Sequence, residues 1–189
     1  MNMTYYDTHA KEFIESTKNC NMELQYNMLL KYVKKGKMLD IGFGSGRDML
    51  YFKSLGFDVT GIDPTNYFVN YAKGLGLDVI ETKLEDYETS IKYDALWACA
   101  SLLHFENLNE ALIKVSSLLK KNGYLYASFK YGKYIGYRND RFFIDMDESE
   151  IFKYLKNTNL KLLEYIVNND AREYRKSELW INFIFKKTK

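Results

Sequence analysis

The chain has 189 residues, 47% of them hydrophobic, and a chain of this size buries roughly 70% of its unfolded surface around one core, which excludes a fibrous or disordered protein. Its 27 basic and 25 acidic side chains nearly cancel to a formal +2, so no strong field announces a nucleic-acid or membrane partner. The longest apolar run, Ala95 to Leu103, is about half the ~20 residues a membrane-spanning helix requires. The opening MNMTYYDTHAKEF has neither a basic leader nor an apolar h-region, so the expectation is a cytoplasmic protein. Cys20, Cys99, His9 and His104 do not fall at metal-ligand spacing, and neither a disulfide framework nor a metal site is expected. The lean towards Tyr, Phe, Lys, Asn and Ile fits an A+T-rich coding sequence. Isolated tyrosines and lysines therefore weigh little, and the five arginines (Arg47, Arg138, Arg141, Arg172, Arg175) weigh more.

In chain order, Met22, Tyr26, Leu29 and Val33 recur at helical spacing and predict a helix over about 21–35, stopped by Gly36. A strand over Lys37–Ile41 leads through a glycine-rich turn into a helix from about Gly46 to Ser54. The strand Asp58–Asp63 passes through Pro64 into a helix over Tyr67–Lys73, completing a βαβ unit. A short strand near Asp78–Glu81 and an apolar strand, Tyr93–Cys99, follow. Leu108, Ala111, Leu112, Val115, Leu118 and Leu119 form one helical face, closed by Lys120, Lys121 and a left-handed cap expected at Gly123. Tyr124–Lys130 is the next strand. Leu160–Val167 and Glu178–Phe185 follow with no helix between them and should pair antiparallel. The fold class is α/β: a doubly wound, mostly parallel seven-stranded sheet with an antiparallel last strand, one domain over 1–189.

The densest motif is LDIGFGSGRD, Leu39 to Asp48, where a buried strand ends in Asp40 and runs into Gly42, Gly44 and Gly46 at the mouth of a helix. Glycines let the backbone approach a ligand, and the helix start presents free N–H groups. The dinucleotide pattern G-x-G-x-x-G fails because Arg47 stands where its third glycine belongs, and no G-K-[ST] follows for a phosphate loop. The remaining D-x-G-x-G-x-G resembles the first motif of class I S-adenosylmethionine-dependent methyltransferases. Asp63, ending the next strand, stands where nucleotide-binding βαβ units place an acid for the ribose hydroxyls.

That resemblance covers most of the chain and implies S-adenosyl-L-methionine as cofactor in a Rossmann-like methyltransferase fold. Gly42, Gly44 and Gly46 would shape the methionine side, with Asp40 at the strand end and Arg47 meeting the cofactor carboxylate. Asp63 would hold ribose, with Pro64 beside it, and Leu84 and Glu85 of KLEDY would face adenine. Cys99 would pack near the cofactor. Residues 1–35 would form a helical cap over the site, with Tyr6 a cofactor contact. ASFKYG (Ala127–Gly132) and RNDRFF (Arg138–Phe143) resemble small bacterial methyltransferases of the tellurite-resistance-like type.

His104, just past the fourth strand, is a candidate general base or substrate contact, with local packing as its plain alternative. In KYGKYIGYRNDRFF, Lys130, Tyr131, Arg138 and Arg141 are candidate substrate ligands on a loop leaving the carboxyl edge of the sheet. The base-flipping [DN]-P-P-[YFW] pattern is missing, since the corresponding stretch reads Ala98, Cys99, Ala100, Ser101, so no nucleic-acid substrate is expected. The reading is methyl transfer to a small, anionic or polar molecule. A non-catalytic cofactor-binding sensor or accessory protein, or an aminopropyltransferase-like relative, is the alternative.

Overall fold

The strand Tyr93–Ala98 shows how the layers arise. Successive side chains point to opposite faces, so Ala95 and Trp97 enter one core while Leu96 and Ala98 enter the other. The computed structural model describes residues 3–189, with side chains from Tyr5 onward; the first two residues of the expected 1–35 cap lie outside the described residues. The elements are α1 (Met3–Thr17), α2 (Glu23–Leu30), β1 (Lys37–Ile41), α3 (Arg47–Ser54), β2 (Asp58–Asp63), α4 (Asn66–Gly74), β3 (Asp78–Glu81), β4 (Tyr93–Ala98) and α5 (Leu108–Leu118). After these come β5 (Leu119–Lys130), β6 (Ile135–Arg138), β7 (Arg141–Ile144), β8 (Leu160–Asn169) and β9 (Leu179–Lys187).

Seven strands form one sheet in the order β3-β2-β1-β4-β5-β9-β8, with β9 antiparallel to both neighbours. Side chains of α1, α2, α3 and α4 pack against Met38, Ala95, Trp97, Tyr126 and Ile184 on one face. On the other, α5 brings Leu108, Leu112 and Val115 onto Leu96, Leu125, Phe183 and Phe185. The strand order reverses between β1 and β4, and in open α/β sheets the crevice beyond the carboxyl ends at such a point is where ligands bind. Among the described residues no helix is long and apolar enough to cross a membrane.

Four local expectations need correction. The helix expected over 21–35 ends at Leu30, because the chain tightens there: Tyr32 N–H bonds the Leu29 carbonyl, and its ring stacks on Tyr124. The left-handed residue before β5 is Asn122 (φ 64°), not Gly123. Gly123 is required for space instead, since a Cβ there would stand 3.0 Å from the Lys120 carbonyl oxygen and 3.1 Å from that of Asp94. β5 starts at Leu119, which pairs with Tyr93 before the register shifts. Finally, the loop expected over Lys130–Phe143 contains the β6–β7 hairpin. Asn139 and Asp140 at its tip have φ of 48° and 59°, the two-residue turn that favours Asn and Asp because both positions lie in the left-handed region.

Candidate active site

The cofactor side starts from the backbone. After β1 the chain turns through Gly42, Gly44 and Gly46, all left-handed with φ of 72°, 52° and 72°. Phe13 of α1 lies so close to Gly44 that a Cβ would meet its Cε1 at 2.8 Å. Asp63 secures this loop: one carboxylate oxygen accepts the Gly44 N–H at 3.2 Å and the other the Thr65 N–H at 2.9 Å. A carboxylate has about four lone-pair sites, so two remain for hydroxyl donors. Burial raises the Asp63 pKa to about 6, against the two backbone N–H groups that favour its charge.

Beneath the loop lies a buried polar network. Arg47 grips Asp48 with Nε to Oδ1 at 2.7 Å and Nη2 to Oδ2 at 2.9 Å, and donates from Nη1 to the Thr17 carbonyl at 3.1 Å. Tyr26 and Trp97 donate to the same carboxylate at 2.6 and 2.9 Å. Burial pushes the Asp48 carboxyl up, but Arg47 and these donors outweigh it and hold it below the ordinary range. Arg47 therefore borders the cavity with three of its five N–H groups already committed, a structural tie the sequence reading assigned to the cofactor carboxylate. Asp40 is buried, and Oδ2 has no hydrogen-bond partner among the described residues. Burial and then the Asp48 charge raise its pKa well above the usual carboxylate range. Burial also pushes the Cys99 thiol up to about 12, which makes it a packing group and not a nucleophile.

A second chain of contacts joins three distant segments. His104 Nδ1 lies 2.7 Å from the Phe142 carbonyl, which can only accept, so Nδ1 carries the proton. Burial first, opposed by that carbonyl and assisted by the Arg141 charge, lowers the His104 pKa to about 4. The ring is thus neutral at pH 7, and its Nε2 accepts from the Tyr6 hydroxyl at 3.2 Å. Arg141 donates from Nη1 to the same Tyr6 oxygen at 3.3 Å and lies 4.0 Å over the Tyr5 ring. Its Nε is buried without a partner among the described residues. Four arginines have carboxylate partners: Arg47 with Asp48, Arg138 with Asp145, Arg172 with Asp170 and Arg175 with Glu178. Among the described residues Arg141 has none.

One cavity at the carboxyl end of the sheet is bordered by Tyr6, Gly42, Gly44, Arg47, Asp63, Pro64, Cys99, His104, Lys130 and Arg141. Other expected site residues lie elsewhere. Asp40 and Gly46 are buried behind this wall; a Cβ on Gly46 would meet Leu77 at 2.9 Å. Leu84 and Glu85 border a separate pocket with Glu106, Tyr137 and Phe142, for which His104 is the common wall. Arg138 is tied bidentately to Asp145, at 2.7 and 2.6 Å, and stacks on Tyr134. Tyr131 bonds Glu148 on the surface. Lys130 is paired with Glu178 and faces the Trp180 ring. Sequence reasoning missed Phe13 and Phe68, which border the cavity, and the β8–β9 connection, where Asp170 holds Arg172 and Trp180. For that connection the sequence carries no recognisable signal. Phe13, however, falls on the helical spacing that runs from Tyr6.

Residues 39–127 match the family described as Methyltransferase domain. Pavine N-methyltransferase of Thalictrum flavum subsp. glaucum is 33% identical over 116 residues, 56% of this chain and 33% of that protein. A ubiquinone biosynthesis O-methyltransferase of Rickettsia conorii is 24% identical over 108 residues, 54% of this chain and 37% of its own length. The chain thus spans about a third of the length of these curated relatives. Among solved structures, the Burkholderia thailandensis 1,6-didemethyltoxoflavin-N1-methyltransferase, bound to 1,6-didemethyltoxoflavin and S-adenosylhomocysteine, superimposes with a TM-score of 0.78 at 17% identity, covering 98% of this chain and 85% of that one. The fold is the Rossmann-like methyltransferase fold. The match to that family covers a little under half of the chain, and beyond it the likeness to the methyltransferase structure is one of fold.

Proposed function

We propose that this chain transfers the methyl group of S-adenosylmethionine to a small molecule whose anionic or strongly polar group is held by Arg141. The residues present suit the cofactor: the left-handed Gly42 and Gly44 at the cavity wall admit it close to the backbone, and Asp63 keeps unused lone pairs for ribose hydroxyls. The bound cofactor supplies an already electrophilic methyl group on a sulfonium, so the chain's own task is to align the acceptor and exclude water. Tyr6 and Phe13 of α1 and Phe143 of β7 wall the cavity with aromatic surface. An acceptor N–H or O–H lying against Tyr6 would pass its proton to the phenol oxygen as the phenol proton moves to His104 Nε2. A nucleophile becomes far more acidic as it gains the methyl group, so even a weak base accepts its proton.

The observation that carries this reading is Arg141 itself, a guanidinium at the cavity wall with aromatic neighbours and no carboxylate partner among the described residues. Paired hydrogen bonds to an oxyanion are something lysine cannot reproduce. Screening cell metabolites with isotopically labelled S-adenosylmethionine and mass spectrometry identifies the acceptor. Arg141→Lys is then expected to weaken its binding roughly 10- to 150-fold, the loss of one charge-assisted contact. Cofactor affinity, measured by calorimetry without acceptor, stays within about twofold of wild type. Full activity in Arg141→Lys would remove Arg141 from acceptor binding.

A further inference from the structure

The near-zero net charge conceals a separation of charge along the strands. Five neighbouring strands, β1, β4, β5, β9 and β8, each bring a lysine to the amino pole, the end of the sheet opposite the cavity. Lys35 precedes β1, Lys92 precedes β4, Lys121 opens β5, Lys187 ends β9 and Lys161 opens β8. Adjacent strands lie about 4.8 Å apart, so the row spans roughly 20 Å. Four of the five lysines are exposed, and Lys187 is half-buried.

The acids at this end are already engaged: Asp58 by Lys37, Asp94 by Lys120 and Glu164 by Lys31. Asp78 lies farther out, opening β3. Among the described residues none of the five row lysines has a carboxylate partner. Lys92 and Lys187 are close enough that, after burial, the charge of Lys92 is what holds the Lys187 pKa down. Lysines in the last turns of α3 and α4 are accounted for by the helix dipole, and Lys92 and Lys187 donate to the Ser117 and Leu119 carbonyls at the end of α5, at 2.9 Å each, but Lys35, Lys121 and Lys161 have no such partner among the described residues.

Exposed aliphatic side chains share this pole: Leu55 past α3, Leu75 past α4 and Ile91 before Lys92, each 40–44% exposed. All five arginines lie towards the cavity end. The pole's aromatic residues, Tyr32 and Tyr124, are half-buried and stacked on each other. An RNA- or DNA-binding surface would offer Arg forks and free aromatic faces. Lysines flanked by exposed aliphatics suit phospholipid headgroups above an acyl boundary.

We propose that the amino pole docks on an anionic lipid surface, with Lys35, Lys121 and Lys161 facing the headgroup phosphates, Lys92 and Lys187 adding their charge from behind, and Leu55, Leu75 and Ile91 entering the interface. The cavity then faces the aqueous side. This inference is independent of the acceptor reading.

Co-sedimentation with vesicles of equal parts phosphatidylglycerol and phosphatidylcholine tests it. Wild type is expected to bind these, to leave phosphatidylcholine vesicles in the supernatant, and to be released by salt at about 0.5 M. Lys35→Glu/Lys121→Glu is expected to bind about tenfold more weakly or worse, whereas Lys11→Glu/Lys83→Glu, at the other pole, binds like wild type. Lys35→Gln/Lys121→Gln repeats the test should charge reversal lower the thermal midpoint. Failure to sediment, equal binding to neutral vesicles, or an amino-pole variant that matches the control overturns the proposal. A single-stranded oligonucleotide bound more tightly than the vesicles, with the same dependence on Lys35 and Lys121, also overturns it.

Discussion

Asp48→Ala is expected to destabilise the protein by about 3–5 kcal/mol, the cost of leaving a buried charge without its partner. Three donors lose their acceptor at once: the Arg47 guanidinium, the Tyr26 hydroxyl and the Trp97 indole N–H. For a chain of this size the thermal midpoint should fall by roughly 6–20 °C, which a circular-dichroism melt resolves. Arg47→Met/Asp48→Leu removes both charges together and should recover part of the loss, because an apolar pair does not carry the desolvation penalty, while the Tyr26 hydroxyl and Trp97 indole N–H still lack an acceptor. The carboxyl lies below its ordinary range, so its contribution is present at neutral pH and lost only as pH falls through that lowered value. A midpoint for Asp48→Ala within a degree or two of wild type would show that the network adds no net stability.

The second large effect falls on the cofactor. Asp63→Asn should weaken S-adenosylmethionine and S-adenosylhomocysteine roughly 10- to 150-fold by calorimetry, since the amide loses the charge that strengthens the ribose hydrogen bonds. Asparagine is chosen over alanine for a structural reason. Asp63 also holds the Gly44 and Thr65 N–H groups, one on each oxygen; asparagine keeps an acceptor for one of them, whereas alanine would orphan both buried donors and unsettle the fold before any ligand is added. With wild type, ligand at about 100 times its dissociation constant adds ~2.7 kcal/mol to stability, whereas NAD adds none. The pH dependence has opposite signs for folding and binding. A folded-state pKa raised to about 6 means that this group's contribution to stability is complete below about pH 4 and lost as pH rises through 6. Hydroxyl donors need the ionised carboxylate, so cofactor affinity should fall about tenfold per pH unit below about 6. A flat affinity between pH 5 and 7 would contradict the assignment of Asp63 to the ribose.

What could be read in advance depended on whether the cause was local. β2 and β3 each follow a glycine turn, at Gly56 and Gly76, and the structure places them at Asp58–Asp63 and Asp78–Glu81 as expected. The antiparallel β9 was legible because no helix separates it from β8. The β6–β7 hairpin went unread although Asn139-Asp140 is a turn pair between two extended stretches, since the basic and aromatic residues around it suggested ligand contacts instead. Arg138 and Arg141 could not be told apart in the sequence. Across a two-residue turn they are register partners, and what separates them is Asp145, which engages one and not the other. The meeting of Tyr6, His104 and Arg141 depends on three segments that only the tertiary fold brings together. The gathering of lysines at one pole likewise depends on strand direction and order, which a net charge averages away.

The clamp of Asp63 on Gly44 and Thr65 divides the site along the chain as well as in space. The clamp itself, from Gly44 to Asp63 and Thr65, is encoded within one short stretch that falls inside the residues matching the methyltransferase domain. The opposite wall is assembled from Tyr6 and Phe13, from Arg141 and Phe143 of the hairpin, and from the β8–β9 connection, all outside that stretch. Phe13 touches Gly44, but Tyr6, Arg141, Phe143 and the β8–β9 connection can change without touching the clamp, so one wall of the cavity is free to vary while the other is held.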